Sequence, residues 1–365
     1  MSESVPSFSE NPRKSAFVSD LTPNQRIEDM FVLVSARQGQ ARNGPFWTLV
    51  LQDRTGRIDA KIWSPQSQEY PNLESGGVVL VRGLTGTYRD QIQLTVDWLR
   101  ELETSDPAVD MAELVPSSEN RPEDMLERLE ALSLSVLHYP PWRTLAKKLL
   151  RDEHVRAKLL AAPGAKAMHH AYLGGLLEHT LSVVELCLKF SDHYPELDRE
   201  ILFLAAILHD LGKAWELSEG PATDYTDQGR LLGHIHIGLE VLEPFLAKCK
   251  ADADLVMHLK HIILSHHGEY EYGSPKRPKT REAMALHYAD NLDAKMNQMG
   301  NAFAEAMQGK EPVPGAEAEA DSPLWTPYQR SLERFLYKPR PTPGNGAPKK
   351  KPAKEENQCS LPLKA

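Results

Sequence analysis

The chain has little cysteine, no long apolar run and no surplus of positive charge. Its three cysteines, Cys187, Cys249 and Cys359, stand far apart among 365 residues. They are too few and too scattered for a disulfide framework or a thiolate metal knuckle, so a reducing, cytoplasmic setting is expected. No stretch approaches the ~18 apolar residues that a membrane span requires. Residues 1–17 contain no apolar segment of the kind a secretory signal carries. With 42 Lys and Arg against 51 Asp and Glu, the net charge is −9. That excludes a polycation that grips nucleic acid by bulk charge alone, so any such contact must be local or carried by stacking and metal ions. No internal repeat is visible. The remaining composition, 41% hydrophobic and 25% charged, is that of a soluble globular protein, and the length suits two or three domains.

Periodicity divides the chain. Residues 1–16 are polar and expected to be disordered. From 17 to 104 short strands alternate with turn signals. Phe31-Val32-Leu33-Val34 is followed by the turn Asn43-Gly44-Pro45, and Phe46 to Leu51 by Asp53-Arg54-Thr55-Gly56. Arg57 to Trp63 alternates polar and apolar, and Val78 to Gly83 and Gln91 to Val96 complete the set. Five short strands in under ninety residues predict a small barrel. A polar, Pro-containing linker is expected over 105–123. Beyond it the period becomes 3.6, predicting a helical domain over 124–308, with helices from Met125 to Leu137, from Trp142 to Leu160, and over 171–192, 198–209, 233–248, 252–265 and 281–308. A second linker (309–322), a short C-terminal helix (323–338) and a disordered Lys- and Pro-rich tail (339–365) close the chain.

Histidine is what the sequence has in quantity, fourteen in all, and its placement in the helical domain is informative. His209-Asp210 ends the apolar run Ile201 to Leu208. A buried imidazole beside a buried carboxylate is costly unless both are paired or hold a cation. The mixed donors suit manganese, iron, zinc or magnesium. His179, His234, His266-His267 and Asp290 lie on separate segments, as ligands do in sites built between helices. A lone helical histidine is more often core or surface than ligand. That reading suits His154, His193, His258, His261 and His287, whereas His169, His170 and His236 neighbour the motif as candidates to orient ligands or touch substrate.

His179, His209-Asp210 and Asp290 resemble the H…HD…D signature of HD-domain metal-dependent phosphohydrolases, and His234 with His266-His267 resembles the subset that holds two ions. His169 to Thr180, Ser265-His266-His267-Gly268 and Gly273-Ser274-Pro275 look closer still to the YhaM-type 3′-5′ exoribonucleases. Those enzymes also carry an N-terminal OB-fold, which the stretch from Pro45 to Trp63 resembles. The resemblance covers about residues 17 to 308. It implies an all-β OB-fold barrel followed by an all-α HD bundle. It further implies one cation on His179, His209, Asp210 and Asp290, and a second on Asp210, His234, His266 and His267. Manganese is favoured, with iron, cobalt, zinc and magnesium also admitted. Asp210 and Lys213 would carry the chemistry, the lysine beside the phosphate. In the barrel, Phe46, Trp47, Trp63 and Tyr88 are the aromatics for stacking bases, and Arg37, Arg42, Lys61 and Arg89 the cations for a groove. Against such a groove, residues 17–103 hold nine Lys and Arg and eleven Asp and Glu, and at least half of these rings are expected in the barrel core.

The function implied is 3′-5′ exonucleolytic hydrolysis of single-stranded RNA, with single-stranded DNA as a further substrate, releasing nucleoside 5′-monophosphates. Two other readings compete. One keeps the metal site but acts on a small or cyclic nucleotide, and the other is a nucleic-acid-binding factor with an inactive HD domain. No membrane partner is expected, and a homo-oligomer stays open.

Overall fold

The computed structural model describes residues 14–89, 91–115, 118, 120–165, 172–218, 224–308, 324–340 and 342. Five strands form a closed barrel: β1 (Arg26–Ala41), β2 (Gly44–Asp53), β3 (Gly56–Ile62), β4 (Val78–Tyr88) and β5 (Gln91–Leu102). The order around it is β1-β2-β3-β5-β4, closed by β1 against β4 and by the parallel β3–β5 pair. β1 serves two neighbours because it is long. Its first half pairs with β4 and its second with β2, with a bulge between Leu33 and Ser35. Such a bulge bends a strand so that the sheet can curl.

The run Met30 to Leu33 shows no alternation because both of its faces are covered. Phe31 and Leu33 point into the barrel core with Leu49, Leu51, Ile62 and Leu94. Met30 and Val32 pack outward against Leu114 and Val115. Leu114 belongs to α1 (Met111–Leu114), a single turn capped by Asp110, whose carboxylate accepts the Ala112 N–H at 3.0 Å. This turn lies within the expected linker. It is held on the barrel by Arg54 N–H donating to the Glu113 carbonyl, and Leu173, near the entrance of the helical domain, joins the same apolar cluster.

Lys14 anchors the segment that precedes the barrel. It is buried, its Nζ 2.8 Å from the carbonyls of Ala16 and Met30, 3.2 Å from Asp53 Oδ2 and 3.6 Å from the centroid of Phe31. Burial pulls its pKa below the usual lysine value, although Asp29 and Asp53 act the other way. Removing one partner of a buried ion pair leaves the other charge uncompensated. Lys14→Met is therefore expected to destabilise the barrel by about 3–5 kcal/mol, read as a lowered urea midpoint; an unchanged midpoint would show the lysine to be dispensable.

The helical domain comprises α2 (Pro122–Val136), α3 (Pro140–Leu150), α4 (Glu153–Ala161), α5 (Gly175–His193), α6 (Arg199–Leu208), the short α7 (Lys213–Glu216), α8 (Asp227–Ala247), α9 (Ala253–Ser265) and α10 (Arg281–Gln308). The helix expected from Trp142 to Leu160 is two. Asp152 accepts the N–H groups of His154 and Val155 and starts a new helix, which an apolar pattern continuing across the break conceals. α6 is the central helix. Every residue from Ile201 to Leu208 is buried, and it packs against α2, α3, α5 and α9. A helix that is apolar on all sides belongs inside the bundle, so the residues that follow it, His209 and Asp210, are delivered to the interior.

The described residues from Gln298 onward form a separate compact unit. The helix expected over 323–338 is instead a small hairpin, β6 (Leu324–Trp325) paired with β7 (Tyr337–Lys338), with a further bridge between Gln329 and Arg334. The aromatics of this segment pair across the hairpin, Trp325 with Tyr337 (centroids 4.9 Å apart) and Tyr328 with Phe335 (5.3 Å), while Pro327 and the positive φ of Glu333 disfavour a helix between them. No described helix is long and apolar enough to cross a membrane.

Candidate metal centre and strand-binding face

Two donor clusters meet at Asp210. His179 comes from the second turn of α5, His209 and Asp210 from the end of α6, His234 from α8, His266 and His267 from the end of α9, and Asp290 from α10. One cluster is His179, His209, Asp210 and Asp290, the other Asp210, His234, His266 and His267, with the donor atoms of each within 4.8 Å of one another. The Asp210 carboxylate divides between them. Its Oδ2 is 3.3 Å from His179 Nε2 and 3.4 Å from His209 Nε2, and its Oδ1 is 3.4 Å from His234 Nε2 and 3.5 Å from His266 Nε2. Asp290 Oδ1 completes the first cluster 3.3 Å from His179 Nε2.

Each of the five imidazoles is fixed through its other nitrogen. His179 Nδ1–H donates to Asp293 Oδ2 at 2.7 Å, and His234 Nδ1–H to Glu216 Oε1 at 3.3 Å. His209, His266 and His267 donate from Nδ1 to the carbonyls of Ala206, Ile263 and Tyr272 at 2.9, 2.7 and 2.8 Å. This turns every Nε2 inward toward the shared carboxylate, as the nitrogen each ring would offer a cation. His234 Nε2, His266 Nε2 and Asp210 Oδ1 are buried with no hydrogen-bond partner. Buried polar atoms left unpaired are destabilising, and a cation would satisfy all three. Nitrogen with carboxylate oxygen is a donor set for a borderline or hard divalent ion, so these residues fit divalent metal ions.

Backbone features make the convergence possible. Gly233 interrupts α8 at φ 73°, ψ 156°, a conformation left to glycine, and the break lets His234 N–H donate to Glu216 Oε1 at 3.0 Å. Gly212 has no room for a side chain: a Cβ there would lie 1.9 Å from the His234 carbonyl oxygen. Lys213 Nζ, mostly buried, sits 2.6 Å from Asp210 Oδ2. Burial alone would depress its pKa, but Asp210 and Asp290 outweigh it and hold the ammonium charged. Burial likewise works against ionised Asp210 and Asp290 and is overcome, for Asp210 by Lys213 and His209 and for Asp290 by His179 and His209, so both carboxyls are held below their usual range.

All seven expected ligands and Lys213 are thus brought together. His236 is not among them; it is exposed and lies 3.1 Å from Glu240 on the outer face of α8. His169 and His170 lie outside the described residues. Sequence reasoning missed the orienting groups Asp293, Glu216 and Ser182, whose hydroxyl donates to Asp293 Oδ1. A second carboxylate one helical turn beyond Asp290 was the available signal for Asp293.

On the barrel, Lys61 Nζ lies 4.7 Å from the centroid of Trp63, 5.4 Å from Phe46 and 5.8 Å from Tyr88. Phe46 and Trp63 stack with centroids 5.2 Å apart, and Arg89 lies over Tyr88 at 5.3 Å. Trp63 and Tyr88 are 40% and 54% exposed. Arg37 shares a cross-strand row with Thr48 and Lys61, and exposed Arg42 stands at the β1–β2 turn. Trp47 is different. It is 6% exposed in the barrel core, with its indole N–H donating to the Tyr70 carbonyl at 3.0 Å. Strand alternation turns it inward while its neighbour Phe46 faces out, so it cannot stack a base.

Residues 176–295 match the HD domain family model, and residues 31–102 match the family model described as OB-fold nucleic acid binding domain. The chain carries an OB fold and an HD domain. The HD domain indicates a metal-dependent hydrolase of phosphate esters, and its match spans every ligand of both clusters. The second OB-fold domain of replication protein A from Methanococcus maripaludis is 22% identical, covering 25% of this chain and 96% of that chain at a TM-score of 0.22. A replication protein A heterotrimer bound to ssDNA is 14% identical over 27% of this chain and 75% of that chain, TM-score 0.20.

Proposed function

We propose that the protein is a metal-dependent 3′-5′ exonuclease of the YhaM type, acting on single-stranded RNA and also on single-stranded DNA, and releasing nucleoside 5′-monophosphates. The observation that carries this reading is the division of one carboxylate, Asp210, between two donor clusters in a chain that also bears an OB fold. Two divalent ions, manganese by preference, supply Lewis-acid polarisation of the phosphoryl oxygens and an acidified water as nucleophile. His179, His209, Asp210 and Asp290 hold one and Asp210, His234, His266 and His267 the other. Lys213, charged and fixed by Asp210, is the cation we assign to stabilise negative charge developing on the phosphate. Phe46, Trp63 and Tyr88 stack bases around Lys61, with Arg37, Arg42 and Arg89 on phosphates. A face for a strand favours a polymeric substrate over a small nucleotide.

The test uses metal-stripped protein and single-stranded RNA labelled at its 5′ end. With manganese added, a ladder shortening from the 3′ end in single-nucleotide steps is expected. Intact RNA under every divalent ion would refute the exonuclease and leave a small-nucleotide phosphodiesterase or a binding factor.

A further inference from the structure

The segment joining α9 to α10 begins at the ligands His266 and His267 and ends at the start of the helix that carries Asp290. It contains Tyr270 and Tyr272, 57% and 63% exposed, and then Lys276, Arg277, Lys279 and Arg281, all exposed. Arg277 is engaged, 2.7 Å from Glu269 Oε2 and over the Tyr270 ring at 5.0 Å. Lys276, Lys279 and Arg281 make no ion pair among the described residues. Residues 268–281 hold four cations against Glu269 and Glu271, so in an acidic protein this segment is locally positive, and its positive charge lies at 276–281.

The segment is also fixed to the metal ligands. The Tyr272 carbonyl accepts His267 Nδ1–H, and Ser274, buried, donates to the Lys276 carbonyl at 2.7 Å. Lys279 N–H donates to His261 Nε2 at 3.0 Å. Gly268, at φ 81°, lies so close to the His287 ring that a Cβ would meet it at 2.2 Å, and that ring donates to the His266 carbonyl. Pro275 and Pro278 restrict the backbone further. Exposed rings and free cations held on so braced a segment bind without a large ordering cost. Arg281 stands nine residues before Asp290, about 13 Å along a helix axis, a span of a few nucleotides.

We propose that residues 268–281 form a second strand-contact surface, on the HD domain itself. Lys276, Lys279 and Arg281 take the phosphates, and Tyr270 and Tyr272 stack the bases, of single-stranded nucleic acid entering the metal centre. This rests on the reading of the protein as a nuclease. The barrel grips the strand at a distance, and this surface sets the reacting end in register with the ligand clusters.

The experiment compares the full chain with the triple variant Lys276→Glu/Lys279→Glu/Arg281→Glu. Acidic residues are tolerated at the start of α10, so folding should survive. Binding of a fluorescent oligoribonucleotide is followed by anisotropy in chelator, where no turnover occurs, across a salt series. Hydrolysis of the small ester bis(p-nitrophenyl) phosphate with manganese is measured in parallel. The expected result is a Kd raised about 10-fold or more and a log–log salt slope reduced by about 2, since single strands lose about 0.7 per phosphate contact, with ester hydrolysis within about twofold. The charge-neutral pair Tyr270→Leu/Tyr272→Leu should raise Kd about 5-fold or more and leave the salt slope unchanged. Unchanged Kd in the triple variant overturns the proposal. So does ester hydrolysis falling in step with binding, which would make the segment only a brace for His267. A wild-type chain that binds the strand through these residues yet degrades none of it refutes the exonuclease and leaves the surface standing.

Discussion

Asp210→Asn is expected to reduce phosphodiester hydrolysis about 1,000-fold or more and to strip metal from both clusters at once. The basis is geometric. Oδ2 faces His179 and His209, while Oδ1 faces His234 and His266, so one carboxylate is a donor to each side. Asparagine keeps the shape but loses the charge and one of the two oxygens, and groups that act as a unit fail together when one is removed. The same change takes the anion from Lys213, whose nearest carboxylate oxygen is that of Asp210 at 2.6 Å, so the cation proposed to face the phosphate also loses its anchor. His267→Ala provides the contrast, since it touches one cluster alone and should leave the ion on His179, His209, Asp210 and Asp290 in place. Metal content after gel filtration, read beside hydrolysis, separates the outcomes. An Asp210→Asn protein that retains both ions, or turns over substrate normally, would end the shared-carboxylate account.

How much of this was legible in the sequence differs between the two domains for a physical reason. The HD ligands carry their own signature, because paired donors such as His209-Asp210 and His266-His267 at the ends of apolar helices are costly without a cation. Their orienting partners carry none. Asp293 and Glu216 are ordinary helical carboxylates until folding brings them to His179 and His234, and three of the five imidazoles are fixed by backbone carbonyls that no side-chain pattern encodes. In the barrel, turn chemistry located all five strands but not their length, since the outer half of β1 beyond Ala36 is largely polar and exposed and has no buried face to imprint a period. Trp47 and Trp63 looked alike because their faces depend on register. The β2–β3 pairing sets Trp47 opposite Ile62 and therefore inward. The expected C-terminal helix failed for another reason, since rings in one short segment met across a hairpin instead.

Loading the cluster around His179 is expected to release a proton from that ring, and loading the cluster around His266 and His267 to release none from those two rings at pH 7. His179 is fully buried, which by itself would lower its pKa. Asp210, Asp290 and Asp293 surround the ring and outweigh burial, raising it well above the ordinary imidazole value of 6.5. The metal-free ring therefore holds its second proton more tightly than a free imidazole, and it must lose the proton on Nε2 to become a ligand. His266 and His267 shift the other way. Burial dominates both, and His267, next to His266, is pushed down to about 4, so both are already neutral. Below the raised pKa of His179, affinity at the first cluster should fall about tenfold for each pH unit, while His267 imposes no such loss until the pH approaches 4. Calorimetric titration with manganese in two buffers of different protonation enthalpy counts the protons directly. The metal-free protein carries the same asymmetry in its stability. The contribution of His179 is fully present below pH 6.5 and is lost as pH rises through its folded pKa, whereas that of His267 is lost as pH falls from about 6.5 to about 4. Asp293→Asn removes one of the three carboxylates that hold the proton on His179, so proton release at pH 7 should fall while the second cluster titrates as before. Two clusters that bind with the same pH dependence would show that the carboxylates around His179 do not set its charge.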